Sequence, residues 1–316
     1  MNEGVVRKTA KPFVKWAGGK GRLLDEIRAN YPAGMGERVR KYAEPFVGGG
    51  AVLFDVLNRY EPDEVYISDI NGELIYTYTA IRDHAVTIIE ALRAYEFEYI
   101  SAKGGTRKEF YYARRQRFNA LRASRDKTPE LAALFLFLNR TCFNGLYRVN
   151  ANGCYNVPQG DYPNPRICDS ANLLAVSERL RGVTIVHGDY RLARDFIDEK
   201  TFVYFDPPYR PLTETSCFTA YSQDRFTDHE QVELARFIGE MSGRGAWVVA
   251  SNSDPKNKGE DDCFFDSLYS GYRIIRVDAN RAINSDGGGR GRIKELLIVG
   301  VSNHRCSAKV ECHAPG

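Results

Sequence analysis

KYAEPFVGGG, residues 41–50, decides the architecture. A short strand-like run meets Pro45, which has no N–H for a ladder and so ends the strand. Gly48, Gly49 and Gly50 then permit a tight turn into a helix near 50–60. VYISDI (65–70) supplies the next strand, and a helical pattern starts at about 72. Strand, glycine turn, helix and strand in that order are the signature of an α/β sheet.

Strand-like runs resume at VTIVHGD (183–189), TFVYFD (201–206), AWVVASN (246–252), YRIIRV (272–277) and KELLIVGV (294–301), with a helical pattern over 228–241. They predict a mostly parallel sheet with helices on both faces. A helical stretch covers 20–30, and residues 84–140 are mainly helical, with Pro129 in the first turn of the last helix. In LYRVNANGCYNVP (146–158), Asn152-Gly153 lies between two short β-like runs and predicts a two-residue hairpin loop. The sheet is therefore interrupted by a helical and hairpin insertion of about 85–180.

The chain of 316 residues allows one large α/β domain, or one domain with such an insertion. A hydrophobic share of 43% with 27% charged residues marks a folded globule rather than a disordered chain. The absence of an apolar run of roughly 18–20 residues gives the expectation of no membrane span. With no signal-type N-terminus either, a cytoplasmic protein, prokaryotic or phage-encoded, is expected.

The seven cysteines form no C-x-x-C pair and predict no disulfide framework. His304, Cys306, Cys312 and His313 cluster near the C-terminus, but their spacing fits no zinc motif. The expectation is no metal and a loose tail over 303–316. The net charge of +3 is unevenly spread. Nine basic residues face two acids between Lys103 and Lys127, with Phe110, Tyr111, Tyr112 and Phe118 interleaved, and RAINSDGGGRGRIK (281–294) is also basic. Two such clusters point to a polyanionic partner.

Ligands of open α/β sheets bind beyond the carboxyl ends of the strands. Three such ends carry chemistry here. The first is EPFVGGG (44–50); the second is Asp69, one βα unit later, where an acid can hydrogen-bond both ribose hydroxyls. Together they suggest an adenosine-containing cofactor, and the lack of G-x-G-x-x-G argues against a nicotinamide enzyme. The third is VYFDPPY (203–209). The exocyclic amine of a purine is a poor nucleophile because its lone pair is delocalised into the ring. The Asp206 carboxylate and the Pro207 carbonyl can accept its two N–H bonds and favour a pyramidal nitrogen, while Tyr209 can stack on the base.

FVKWAGGK (13–20), EPFVGGGAV (44–52), DIN (69–71), LNRTCFNGLYRVNANGCYNVPQG (138–160), DPPY (206–209), SNSD (251–254) and RAINSDGGGRGRIKELL (281–297) occur in order. In this set the chain resembles the Dam family of DNA adenine-N6 methyltransferases, over nearly its whole length. The resemblance implies a class I methyltransferase fold, a Rossmann-like mixed sheet with an inserted helical and β-hairpin target-recognition domain. Residues 1–84 and 181–302 would form the catalytic domain, and 85–180 the DNA-reading insertion.

It also implies S-adenosyl-methionine as methyl donor, held by Trp16, Ala17, Lys20, Glu44, Phe46, Gly48, Gly49, Gly50, Asp69, Asp189 and Asp206. Asp206, Pro207, Pro208 and Tyr209 would form the catalytic turn, acting on an adenine extruded from the duplex. Phe143 would push into the base stack, Asn144 would meet the backbone and Arg148 would read a guanine. Lys15, Arg140, Leu146, Asn150, Pro158 and Tyr162 match other positions that contact DNA. GATC is the implied target, and double-stranded DNA the partner of an enzyme expected to be a monomer. A restriction endonuclease partner is left open.

The segment QGDYPNPRICDS (159–170) departs from the family by lacking its basic aromatic run. Related enzymes with the same tetrad act on other adenine-containing sites. Methylation of RNA or of a protein amide is a second reading; such enzymes usually carry Asn first in the tetrad. A DNA-binding protein without turnover is a third, against which the intact tetrad and glycine loop stand.

Overall fold

The computed structural model describes residues 8–102, 105–210, 226–279 and 293–300. The second basic segment, apart from its last two residues, and the C-terminal cysteines and histidines lie outside them. Seven strands form one sheet: β1 (Lys41–Glu44), β2 (Glu64–Asp69), β3 (Thr184–His187), β4 (Thr201–Phe205), β5 (Trp247–Ser253), β6 (Arg273–Ala279) and β7 (Ile293–Gly300). Their order is β3-β2-β1-β4-β5-β7-β6. The first five run parallel, and β7 is antiparallel to both β5 and β6. The sheet is thus mixed at one edge and parallel elsewhere, as a class I methyltransferase fold requires.

Alternation along the strands sends neighbouring residues to opposite faces. Tyr42, Phe202, Tyr204 and Val249 join one hydrophobic cluster, and Ala43, Val203, Phe205 and Ala250 the other. The order reverses between β1 and β4, so the carboxyl ends of these two central strands flank the switch point where such sheets bind ligands.

Three longer helices build the insertion and its approach. Helix α3 (Gly72–Ser101) is capped by Asn71, whose Oδ1 accepts from Leu74 N at 2.9 Å. It breaks at His84 (φ −135°, ψ 31°). Helix α4 (Thr106–Ser124) follows, and α5 (Pro129–Thr141) starts on the expected proline behind the Thr128 cap. The buried side of α5, from Leu131 to Leu138, packs in the same cluster as the Tyr42 face of the sheet. Helices α1 (Leu24–Arg28), α2 (Ala51–Arg59), α6 (Ser170–Arg179), α7 (Asp228–Gly243) and α8 (Phe264–Leu268) complete the fold.

The hairpin differs from its sequence reading. Val149 pairs with Tyr155, and Asn150 N donates to the Cys154 carbonyl at 2.9 Å, which leaves three residues in the loop. Gly153 takes φ +73°, while Asn152 is not among the positive-φ residues. A two-residue type I′ turn needs positive φ at both central positions; a three-residue loop needs it only at its glycine. The Asn150 carboxamide accepts from the N–H groups of Asn152 and Cys154 at 3.0 and 2.9 Å and closes this turn.

Candidate active site

The catalytic turn follows β4 directly. Lys20 Nζ lies 2.7 Å from Asp206 Oδ1, donates to the Gly18 carbonyl at 2.6 Å, and stands 4.7 Å from the Tyr209 ring centroid. Ser251 Oγ, on neighbouring β5, reaches the same Oδ1 at 2.8 Å. Both donors therefore engage one oxygen, and Oδ2 has no donor among the described residues. Burial pushes the Asp206 carboxyl up, and Lys20 and Ser251 pull against it.

The rest of the turn is fixed from behind. Gln231, wholly buried on α7, donates from Nε2 to the Pro208 carbonyl at 3.1 Å. Its Oε1 accepts from Asn252 Nδ2 at 3.1 Å, and Asn252 Oδ1 receives Arg210 N at 3.4 Å. Arg210 is clamped in turn by Asp228 and Asp262. The Tyr209 hydroxyl donates to Glu295 Oε2 at 2.5 Å, and burial keeps the phenol protonated. Pro208 is held by its carbonyl, whereas the Pro207 carbonyl has no donor among the described residues.

The glycine loop sits beside this turn. Gly48 N donates to Asp69 Oδ2 at 3.0 Å, and Asn71 N to Asp69 Oδ1 at 2.9 Å. The Asp69 carboxylate thereby ties the ends of β1 and β2 together. A Cβ on Gly48 would lie 2.9 Å from the Trp16 ring, and one on Gly50 2.5 Å from the Tyr78 hydroxyl. The positive φ of both makes the expected tight turn, and these contacts add a packing reason for glycine within the chain itself. Ala17 is exposed next to Trp16.

Glu44 closes β1 at 2% exposure, with Tyr42 donating its hydroxyl to Oε2 at 2.7 Å. Burial pushes its pKa up to about 8, with the nearby Asp206 adding to the shift. Phe46 stacks on Tyr190 at 5.4 Å, and the Tyr190 hydroxyl is buried without a partner among the described residues. Asp189 caps the turn leading to Tyr190 by accepting from Arg191 N at 2.9 Å.

The hairpin is docked on the N-terminal segment. Asn139 holds both the N–H and the carbonyl of Lys15 at 2.8 Å, and its Nδ2 also reaches the Gly145 carbonyl at 3.1 Å. Arg140 spends its guanidinium on the Phe13 carbonyl at 2.8 Å. Arg140 thus braces the N-terminal segment, and Asn150 closes the hairpin turn. Phe143 (51% exposed) and Leu146 (41%) stand out from it, with Asn144 between them in a left-handed conformation, φ 52°. Arg148 is held by Asn156 Oδ1 through Nε at 2.8 Å. Pro158 is exposed, and Tyr162 carries Lys15 Nζ at 4.4 Å from its ring centroid. Burial and the neighbouring Arg140 lower the Lys15 pKa.

Much of the basic run on α4 is internally engaged. Arg114, Arg117 and Arg122 pair with Glu98, Glu130 and Glu73. Sequence reasoning gave no role to Gln231, Ser251, Asn252 or Glu295. Ser251 and Asn252 lie in the recognised SNSD stretch, but nothing local marks Gln231, whose function depends on where α7 packs.

A mixed sheet of this order, with an acid–Pro–Pro–Tyr turn and a glycine loop at its switch point, is that of a methyltransferase. The family model for D12 class N6 adenine-specific DNA methyltransferase matches residues 16–283. The Type II methyltransferase M.MjaIII of Methanocaldococcus jannaschii is 45% identical over 291 residues, covering 92% of this chain and 98% of that one. The Type II methyltransferase M1.LlaDCHI of Lactococcus lactis subsp. cremoris is 34% identical over 295 residues, covering 93% and 96%. The DNA adenine methylase of Escherichia coli (strain K12) is 34% identical over 293 residues, covering 92% and 96%. This chain belongs to the D12 class N6 adenine-specific DNA methyltransferases. Its substrate is DNA, and no helix among the described residues is long and apolar enough to cross a membrane.

Proposed function

We propose that the enzyme transfers a methyl group from S-adenosyl-methionine to N6 of an adenine extruded from duplex DNA, in the sequence GATC. The observation that carries this reading is the Asp206 carboxylate, oriented through Oδ1 by Lys20 and Ser251 with Oδ2 left over.

The residues present fit the donor. The buried Glu44 carboxyl can accept an ammonium group, the Tyr190 hydroxyl, without a partner among the described residues, belongs to the ring stacked on Phe46, and the Gly48–Gly50 loop opens α2. With Trp16, Ala17, Lys20, Asp69 and Asp189 they would hold the cofactor, whose sulfonium makes its methyl electrophilic. No metal or covalent protein intermediate is then needed.

In this reading Asp206 Oδ2 and the Pro207 carbonyl accept the two N–H bonds of the amine, and Tyr209 presents its ring to the base. The Lys20 ammonium and the Ser251 hydroxyl both engage Oδ1, which leaves Oδ2 to the substrate amine. As the attacking nitrogen becomes cationic, Asp206 stabilises the charge; the work is positioning and electrostatics. Extrusion costs a few kcal/mol, which stacking partly offsets. Residues 85–180 would read the DNA, with Phe143 and Leu146 as wedges and Arg148 on a guanine, while 1–84 and 181–302 carry the chemistry. The same reading makes it a monomeric cytoplasmic enzyme.

The experiment is transfer of labelled methyl from S-adenosyl-methionine to duplexes with and without GATC, alongside a map of N6-methyladenine in DNA from cells expressing the gene. Modification confined to GATC is expected. Modification concentrated elsewhere removes the target assignment, and a folded enzyme that labels no DNA removes the whole reading.

A further inference from the structure

Glu295 is an acid near the start of a strand that goes on to bury apolar residues, from Leu296 to Val299. Because β7 runs antiparallel to β5, its first residues lie beside the carboxyl end of β5, and Glu295 pairs in register with Ser253. Residues two apart on a strand share a face, and so do residues directly opposite on its neighbour. Glu295 therefore stands on the same side of the sheet as Ser251, whose hydroxyl reaches Asp206 at 2.8 Å. The antiparallel edge thus brings to the catalytic turn a side chain that lies 86 residues beyond Tyr209.

The ladder around Glu295 does not satisfy its carboxylate. Val277, opposite on β6, is apolar, and the Ser253 hydroxyl, opposite on β5, is buried without a partner among the described residues. The Tyr209 hydroxyl instead donates to Glu295 Oε2 at 2.5 Å, the length of a hydrogen bond to an anionic acceptor. A partly buried carboxylate without a donor is costly, so this bond holds both groups. A tyrosine side chain turns about two torsions, and a bond at its far tip restrains both. The Lys20 ammonium stands over one face of the same ring, 4.7 Å from its centroid. The tilt of the ring is thus set at the hydroxyl and on one face before any base arrives.

We propose that Glu295 is a positioning residue for methyl transfer. It holds the Tyr209 ring at the tilt on which an extruded adenine stacks, acting through the phenol rather than by touching DNA or cofactor. The proposal rests on the reading of Tyr209 as the stacking platform for the target base. A ring held loosely would still admit the base, but the amine would be aligned with Asp206 and the Pro207 carbonyl for less of the time. The loss should therefore fall on kcat.

The test uses the full chain and a duplex that the wild type methylates, with 2-aminopurine in place of the target adenine as a fluorescent probe of stacking in a parallel binding measurement. Glu295→Ala and Tyr209→Phe should each lower kcat about tenfold, the effect of one lost hydrogen bond to a charged group, with KM for DNA near the wild type. In both complexes the probe should be brighter than in the wild type, because stacking quenches it. The double variant should be no slower than either single one. Glu295→Gln, which keeps an acceptor oxygen, should retain most of the rate. Tyr209→Phe deletes a single oxygen, so it gives the answer even if Glu295→Ala folds poorly. Wild-type kcat in Tyr209→Phe, an unchanged probe signal, or losses that multiply in the double variant overturn the role of Glu295 alone. A folded wild type that labels no DNA overturns the reading of the site, and the role of Glu295 with it.

Discussion

The catalytic turn and the hairpin are built on opposite plans. Behind the turn stands a buried relay from α7 and β5, through Gln231, Asn252 and Ser251, so that Asp206, Pro208 and Arg210 are each held by a named partner. The hairpin is paired through isolated bridges, Cys142–Gln159 and Val149–Tyr155, rather than a strand ladder, and it displays Phe143 and Leu146 to solvent. Chemistry on an amine needs acceptors fixed before the substrate arrives. Recognition of DNA needs wedges and readers that remain accessible until the duplex is there. The difference teaches where each kind of substitution should be felt.

The largest effect should come from Asp206→Ala. Loss of the amine acceptor should lower the methyl-transfer rate by about 10³-fold, with DNA binding retained in an anisotropy assay. A variant that still transfers at a tenth of the wild-type rate would break the contrast at its centre.

Next comes a pH effect confined to the sheet end. The folded-state pKa of Glu44, about 8, lies above its ordinary value of 4.5. The folded state therefore keeps a proton that the unfolded chain releases in this window. Stability on this account is fully present below about pH 4.5 and is lost as pH rises to about 8. Glu44→Gln should flatten the denaturant-derived stability across that window, by on the order of a few kcal/mol at its upper end. An unchanged pH profile would show that the carboxyl is charged in the folded enzyme.

Gln231→Leu should cost about 1–3 kcal/mol of stability, since it strips the Pro208 carbonyl and the Asn252 amide of a buried partner. It should lower kcat more than KM, because the turn rather than the DNA surface is loosened. Arg148→Ala should do the reverse: thermal stability near the wild type, with discrimination at one guanine weakened by about 1–3 kcal/mol in competition between cognate and substituted duplexes. The smallest effect is expected from Asn150→Ala. It removes the side chain that closes the three-residue loop, at about 1 kcal/mol, seen as faster amide exchange at Asn152 and Cys154. Equal damage from Gln231→Leu and Asn150→Ala would erase the distinction between the two regions.

Strand ends and the tetrad were legible because their signals are local. Pro45 ends β1, β4 and β5 show as short apolar runs buried on both faces, and Pro129 marks the start of α5. The hairpin was legible as a hairpin, but its loop length was not. Asn-Gly suits either loop, and the choice was made by the Asn150 carboxamide, which bonds two N–H groups across the turn. The basic run between Lys103 and Lys127 was misleading as a count. Its charges are sorted by Glu73, Glu98 and Glu130, which come from α3 and α5.

By itself the sequence determined the α/β architecture, the order of its motifs and membership of an adenine-specific DNA methyltransferase family. Those depend on backbone rules at proline and glycine and on residue types at short spacing. Only the tertiary structure decided which oxygen of Asp206 is engaged by Lys20 and Ser251, that Gln231 anchors the turn, and which arginines pair with carboxylates. Each of these is set by partners on other elements of the fold, because hydrogen bonding and charge neutralisation depend on distance in space rather than along the chain.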